Sequence, residues 1–126
     1  EHTSWKGLQQ CGMEQEPATS FYKSMITRLA SSKSARIIFA KHEENDISYI
    51  FGGLAGNLYR GQQFSYSEAW KNASIGNLLQ IEQIKWLSEE KCKRYDMGPV
   101  SGEKMEYKRH WTERQGRLES WMLIKK

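Results

Sequence analysis

The chain has 126 residues, 38% of them hydrophobic and 12% aromatic, which suits one domain with its own core and is too aromatic for disorder. Its 19 Lys and Arg against 15 Asp and Glu give a net charge of +4. The two signs interleave outside Lys91-Cys92-Lys93-Arg94 and Lys108-Arg109-His110, so the pattern argues against a DNA-binding stripe and admits an anionic ligand such as a phosphate-bearing one.

No apolar run of about 18 residues offers a membrane span, and no signal peptide opens the chain. Glu1 in place of an initiator Met marks a processed product or a piece of something longer. Residues 1–17 are irregular in composition, yet Trp5 and Leu8 give them something to pack with. Thr19 or Ser20 is a candidate N-cap. Phe21, Tyr22, Met25, Ile26 and Leu29 then recur at spacings of three and four, an amphipathic helix of about three turns. Residues 31–34 close it.

Residues 36–42 are short and β-rich, and residues 43–46 have the composition of a turn, which makes His42 a turn residue. A second strand opens at Ile47 and runs to Ala55. Gly56-Asn57 turns the chain again, and residues 58–66 form a third strand. Three strands joined by two tight turns make an antiparallel meander. Gly52, Gly53 and Gly61 inside those strands mark bulges or close backbone approach.

Residues 67–73 read as a loop, and Ser74 caps a long helix from Ile75 to about Lys91. Its apolar residues, Ile75, Leu78, Leu79, Ile81, Ile84, Trp86 and Leu87, spread around most of the helix and predict burial on more than one side. Residues 93–97 read as a short strand stopped by Gly98-Pro99. A loop follows, then one helical turn over residues 105–111, and residues 117–124 alternate as a last strand. The fold class is α/β (α+β), a mixed, mostly antiparallel sheet with helices on its faces and a right-handed crossover where strands run parallel. Cys11 and Cys92 have no His or Cys near them in sequence. That argues against a metal site and for the reduced thiols of a cytoplasmic protein, with a bridge between them left open.

Five motifs stand in a recognisable order: Ser4-Trp5-Lys6-Gly7, Phe21-Tyr22, Ile75-Gly76-Asn77-Leu78-Leu79, Tyr95-Asp96-Met97-Gly98 and Tyr107-Lys108-Arg109-His110-Trp111. Over nearly the whole chain this order resembles the GCN5-related N-acetyltransferase (GNAT) fold. More narrowly it is similar to the bacterial BioF2-like and CelD-like acetyltransferase domains, akin to the Fem-type peptidyltransferases. The resemblance implies a single GNAT-like acyltransferase domain over residues 1–126, forming the C-terminal lobe of a longer two-lobed protein. It implies acyl transfer from acyl-CoA, in the simplest case acetyl-CoA, to an amine of a small molecule or a cell-envelope precursor. The alternatives are a Fem-type enzyme using aminoacyl-tRNA, and a lobe that only scaffolds.

The same resemblance places the acyl-CoA pyrophosphate at Ser74, Ile75, Gly76 and Asn77, where a helix N-terminus offers free N–H groups and a positive dipole end. The family's loop there is Arg/Gln-x-x-Gly-x-Gly/Ala, and this chain keeps one of its glycines and lacks the leading Arg or Gln. A plain N-cap is the other reading. Lys108, by resemblance, lies near the transferred acyl group and would stabilise an oxyanion; the alternative is a surface cation whose stem covers Trp111.

Tyr107 and Trp111 belong to the same substrate-binding motif. Asp96, at a strand end, is a candidate proton acceptor or a local turn carboxylate. Glu82 falls in an apolar arc with Leu78, Leu79 and Trp86, a setting for a carboxylate base or for an ion pair. Trp5 and Lys6 are candidate substrate-groove residues, or an anchor for the N-terminal segment. Tyr66 ends the third strand, as a general acid or a core-edge aromatic.

Overall fold

The computed structural model describes residues 3–9 and 12–125, with only the backbone of Trp5. Cys11 and the Trp5 side chain lie outside the described residues. The chain divides into two compact units, Glu1–Asp96 and Met97–Lys126.

The first unit runs α1 (Trp5–Leu8), α2 (Ala18–Ser31), β1 (Ala35–His42), β2 (Asn45–Ala55), β3 (Leu58–Tyr66), a 3-10 helix (Glu68–Ala73), α3 (Ile75–Glu89) and β4 (Arg94–Asp96). The four strands form one sheet in the order β1-β2-β3-β4. The first three are antiparallel neighbours, and β4 lies parallel to β3. This is the mixed, mostly antiparallel sheet expected. The turns fall at Glu43-Glu44 and Gly56-Asn57. Asn45 and Asp46 already belong to β2, opposite His42 and Lys41.

Two consecutive glycines set the layers. Successive residues of a strand face opposite sides. A side chain at Gly53 would meet Leu29 of α2 at 2.9 Å, and one at Gly52 would run into the Tyr59 ring and the Arg60 carbonyl. Tyr59 in turn reaches Gln83 of α3. Helices α2 and α3 therefore cover opposite faces, and Ile47, Ile50, Phe51, Tyr59, Leu79 and Leu87 are buried around the sheet. The β2–β3 register shifts between Phe51 and Gly52, so that Gln62 is skipped. This is the bulge that Gly52 and Gly61 mark.

Helix α3 buries one face, not several. Leu79, Gln80, Gln83 and Leu87 are inside, while Leu78, Ile81 and Ile84 are exposed. Two of the inward positions are glutamines, which apolar periodicity passes over. Arg36 pins the far end of the helix, with its guanidinium 5.4 Å from the Trp86 ring and 2.8 Å from Glu90.

Helix α2 starts at Ala18, so Thr19 and Ser20 lie inside it and do not cap it; Thr19 Oγ1 donates instead to the Met13 carbonyl at 2.7 Å. Residues 67–73, expected as a loop, contain the 3-10 helix. His42 is the last residue of β1, not a turn residue, and its ring lies 4.8 Å from Trp70.

The second unit holds a 3-10 helix, Glu103–His110, where one helical turn was expected. Residues 117–124 form no strand, against the expectation from their alternation. Trp121 is 90% exposed and Leu123 fully so. A strand exists only through its pairing, and no pairing to this segment occurs among the described residues. No helix among them is long and apolar enough to cross a membrane.

Candidate functional site

Strands β3 and β4 pair at three positions, Leu58↔Arg94, Tyr59↔Tyr95 and Arg60↔Asp96, and the pairing ends there. Residues 61–66 of β3 continue with no strand paired on that side among the described residues. The direction of their backbone groups follows from two contacts. Ser67 N–H donates to the Ile47 carbonyl at 2.8 Å, and Ser48 Oγ donates to the Ser65 carbonyl at 2.8 Å. Residues 65 and 67 thus face β2, so by alternation the amides of Phe64 and Tyr66 face the outer edge. The segments around positions 50 and 95 share one sheet. Its parting lies between β3 and β4, because β3 intervenes.

Asp96 stands at the parting and accepts a hydrogen bond from Arg60 Nη1, with both side chains about half exposed. Tyr95 lies beside Gly61, where an added Cβ would sit 3.4 Å from the ring. Tyr59 and Tyr95 meet edge to face at 4.9 Å, and each phenol donates to a glutamine of α3. Tyr95 reaches Gln80 at 2.8 Å and Tyr59 reaches Gln83 at 3.3 Å. Burial, and then the neighbouring Tyr95, push the Tyr59 phenol far above its ordinary value. It acts as a neutral donor.

At the other end of the exposed edge is the start of α3. Ser74 takes a left-handed conformation, φ 54 and ψ 24, and its side chain makes no capping bond. The expected side-chain cap is therefore absent: the Ser74 hydroxyl does not cap. Its carbonyl does the work, accepting from Asn77 N–H at 3.0 Å and Leu78 N–H at 3.2 Å. Ile75 and Gly76 carry first-turn N–H groups of the kind that lack an intrahelical acceptor. Gly76 is small for a packing reason as well, since an added Cβ would lie 2.7 Å from Phe64 Cζ. Phe64 and Tyr66 pack with ring centroids 5.8 Å apart.

The N-terminal segment also reaches this edge. Lys6 Nζ donates to Gln63 Oε1 at 2.6 Å and to the Phe64 carbonyl at 3.0 Å. Gln63 Nε2 donates to the Tyr22 hydroxyl. Sequence reasoning had Lys6 but missed Gln63, Tyr22 and Arg60. The signal for Gln63 was a pair of long polar residues, Gln62-Gln63, in an aromatic strand. Tyr22 was read as part of a helix face and of a resemblance motif, not as a site residue.

Glu82 does not join the site. It is exposed on α3 and pairs with Lys85 at 2.8 Å, so the apolar surround expected for it is absent. In the second unit, Lys108 is not a surface cation: it is 8% exposed and its Nζ donates to the Pro99 carbonyl at 2.9 Å. Tyr107 and Trp111 are half-buried there, and Trp111 N–H donates to the Lys108 carbonyl at 3.0 Å. No group of three or more His, Cys, Asp or Glu side chains that could hold a metal comes together among the described residues.

A strand edge with outward amides, a carboxylate at one end and a helix start at the other can hold an extended, amide-bearing ligand with an anionic tail. Residues 2–109 match the family described as acetyltransferase (GNAT) domain. Solved structures share the fold at low identity. AAC(6')-Iy, in complex with the bisubstrate analog CoA-S-monomethyl-acetylneamine, matches with a TM-score of 0.63 at 10% identity, over 97% of this chain and 88% of that one. The aminoglycoside antibiotic 6'-N-acetyltransferase AAC(6')-IG of Acinetobacter haemolyticus gives 0.60 at 12% identity, over 89% and 83%. The PaiA N-acetyltransferase of Thermoplasma acidophilum, in complex with coenzyme A, gives 0.51 at 16% identity, over 64% and 50%. No curated protein matches the chain at a significant level.

Proposed function

Because this chain belongs to the acetyltransferase (GNAT) domain family, we propose that it transfers an acyl group from acyl-CoA to an amine by direct attack. The supporting observation is the β3 edge, which parts from β4 at Arg60 and Asp96 and leads over residues 61–66 towards the start of α3. An acyl-CoA has the matching order of parts: a thioester, two amides, then a pyrophosphate. The amides suit the outward groups of β3, and the pyrophosphate suits the Ile75 and Gly76 N–H groups.

In the proposed step the amine nitrogen attacks the thioester carbonyl. A C–N bond forms, the C–S bond breaks, and the thiolate leaves. Asp96 is the carboxylate we assign to take the amine proton, with Arg60 holding its orientation. To Lys108, on the motif resemblance alone, we assign stabilisation of the tetrahedral oxyanion. Tyr66, the last residue of β3, stands at the pyrophosphate end of the edge, about 20 Å of strand beyond Arg60, so the thiolate takes its proton from solvent and not from this phenol. Positioning along the edge supplies the rest.

The motif order further supports a BioF2-like or CelD-like domain working as the C-terminal lobe of a longer chain. Its acceptor would be a small amine or a cell-envelope precursor, and the motif resemblance assigns Tyr107 and Trp111 to substrate binding. The departure of Asn72-Ala73-Ser74-Ile75-Gly76-Asn77 from the family's pyrophosphate loop favours aminoacyl-tRNA as a second donor to test.

Acetyl-CoA at a hundred times its Kd should stabilise the native state by about 2.7 kcal/mol, a shift of several degrees in Tm. Free thiol should then appear when amines are added. No shift with any acyl-CoA would sink the acyl-CoA reading. Turnover that requires charged RNA would move the second donor ahead.

A further inference from the structure

We propose that α1 is a strap latched across the outer edge of β3 by Lys6, and that an acyl donor binds only after Lys6 has left the Phe64 carbonyl. The role depends on the acyl-CoA reading above, which makes that edge the donor's seat.

Four contacts carry it. Lys6 Nζ donates to the Phe64 carbonyl at 3.0 Å, and the alternation set by Ser65 and Ser67 turns that carbonyl outward, away from β2. The same ammonium donates to Gln63 Oε1 at 2.6 Å. Gln63 is held from its other end, since its Nε2 donates to the Tyr22 hydroxyl. The strap is fixed on its N-terminal side as well, where Glu68 N–H donates to the Thr3 carbonyl at 3.1 Å.

An extended ligand pairs with a strand edge by bonding its outward N–H and C=O groups in turn. On β3, Phe64 lies midway between the parting at Arg60↔Asp96 and the 3-10 helix that begins at Glu68. A donor arm laid along the edge needs the Phe64 carbonyl for an amide N–H, and Lys6 occupies it. The two cannot bond there together at full strength. When the arm takes the carbonyl, the ammonium leaves the edge and gives up Gln63 Oε1 with it. The latched and loaded states then differ by both of these charge-assisted hydrogen bonds, a difference large enough to set donor affinity.

Two substitutions pull in opposite directions. Lys6→Met keeps the stem and removes the donor group, so the Kd for acetyl-CoA should fall about three- to tenfold. Gln63→Glu puts a carboxylate under the ammonium, tightens the latch's anchor and should raise that Kd by a similar factor. Titration calorimetry reads both, and the thermal midpoint without ligand confirms that each variant folds. If Lys6→Met fails to fold, Gln63→Glu alone decides the matter. Unchanged or weaker binding by Lys6→Met, or unchanged or tighter binding by Gln63→Glu, would overturn the latch while leaving acyl transfer standing. Failure of the unsubstituted chain to bind any acyl-CoA would remove both.

Discussion

The Tyr95 hydroxyl donates to Gln80 Oε1 at 2.8 Å, and this bond ties the shortest strand of the sheet to the longest helix. Strand β4 has three residues and three register positions on β3. Backbone pairing alone holds it weakly. The side-chain bond fixes where β4 ends, and with it where Asp96 stands.

Tyr95→Phe and Gln80→Leu should each destabilise the fold, and their double-mutant coupling should be about 1 kcal/mol. Additive effects would show that the bond is not an anchor.

Tyr59 is buried and donates to Gln83. Its phenol ionises in the unfolded chain at the ordinary 10.0 but resists ionisation in the fold. Its contribution to stability is therefore full below that value and is lost as pH rises beyond it. Chemical denaturation at increasing pH should show this decline, and Tyr59→Phe should flatten it. An identical decline in the variant would assign the loss to other groups.

Gly76→Ala should destabilise, although alanine is the better helix former by up to about 1 kcal/mol. The added methyl would lie 2.7 Å from Phe64 Cζ, and such overpacking costs about 1–3 kcal/mol. Phe64→Leu in the same chain should relieve it. A Gly76→Ala protein more stable than the parent would mean that Phe64 yields freely.

Asp96→Asn should change stability by less than about 1 kcal/mol, because its pair with Arg60 is half exposed and such pairs contribute little. If Asp96 takes the amine proton, kcat/KM should still drop by about a hundredfold or more. Unaltered turnover would leave Asp96 with a structural role only.

For Lys108→Met the expected loss is in kcat, by about a hundredfold to a thousandfold, the usual effect of removing an oxyanion donor. Stability is the control: Lys108 also donates to the Pro99 carbonyl, so the midpoint of unfolding must be read beside the kinetics. A variant that loses stability and keeps kcat would place Lys108 in the scaffold.

The meander was legible because its turns carry their own chemistry. Gly56 sits at φ 61, where glycine is at home, and the flanking apolar runs have nowhere else to go. The parallel strand was legible from Gly98-Pro99, which stops it. Residues 117–124 misled, since alternation states only that a segment would suit a sheet, not that an edge is there to receive it. Glu82 misled for a related reason. Of the apolar residues beside it, Leu79 is buried and Leu78 exposed, and Glu82 faces out with Leu78, so proximity on a helical wheel was not burial. Gln63 was illegible because its partners, Lys6 and Tyr22, are distant in the chain. Nothing local announces a bond of that span.

The crowding of Gly52 by the Tyr59 ring reaches past this one molecule. Losing the aromatic at position 59 would not make room for a methyl at position 52, because the Arg60 carbonyl crowds the same spot. Natural variation should therefore leave position 52 a glycine, whatever stands at 59.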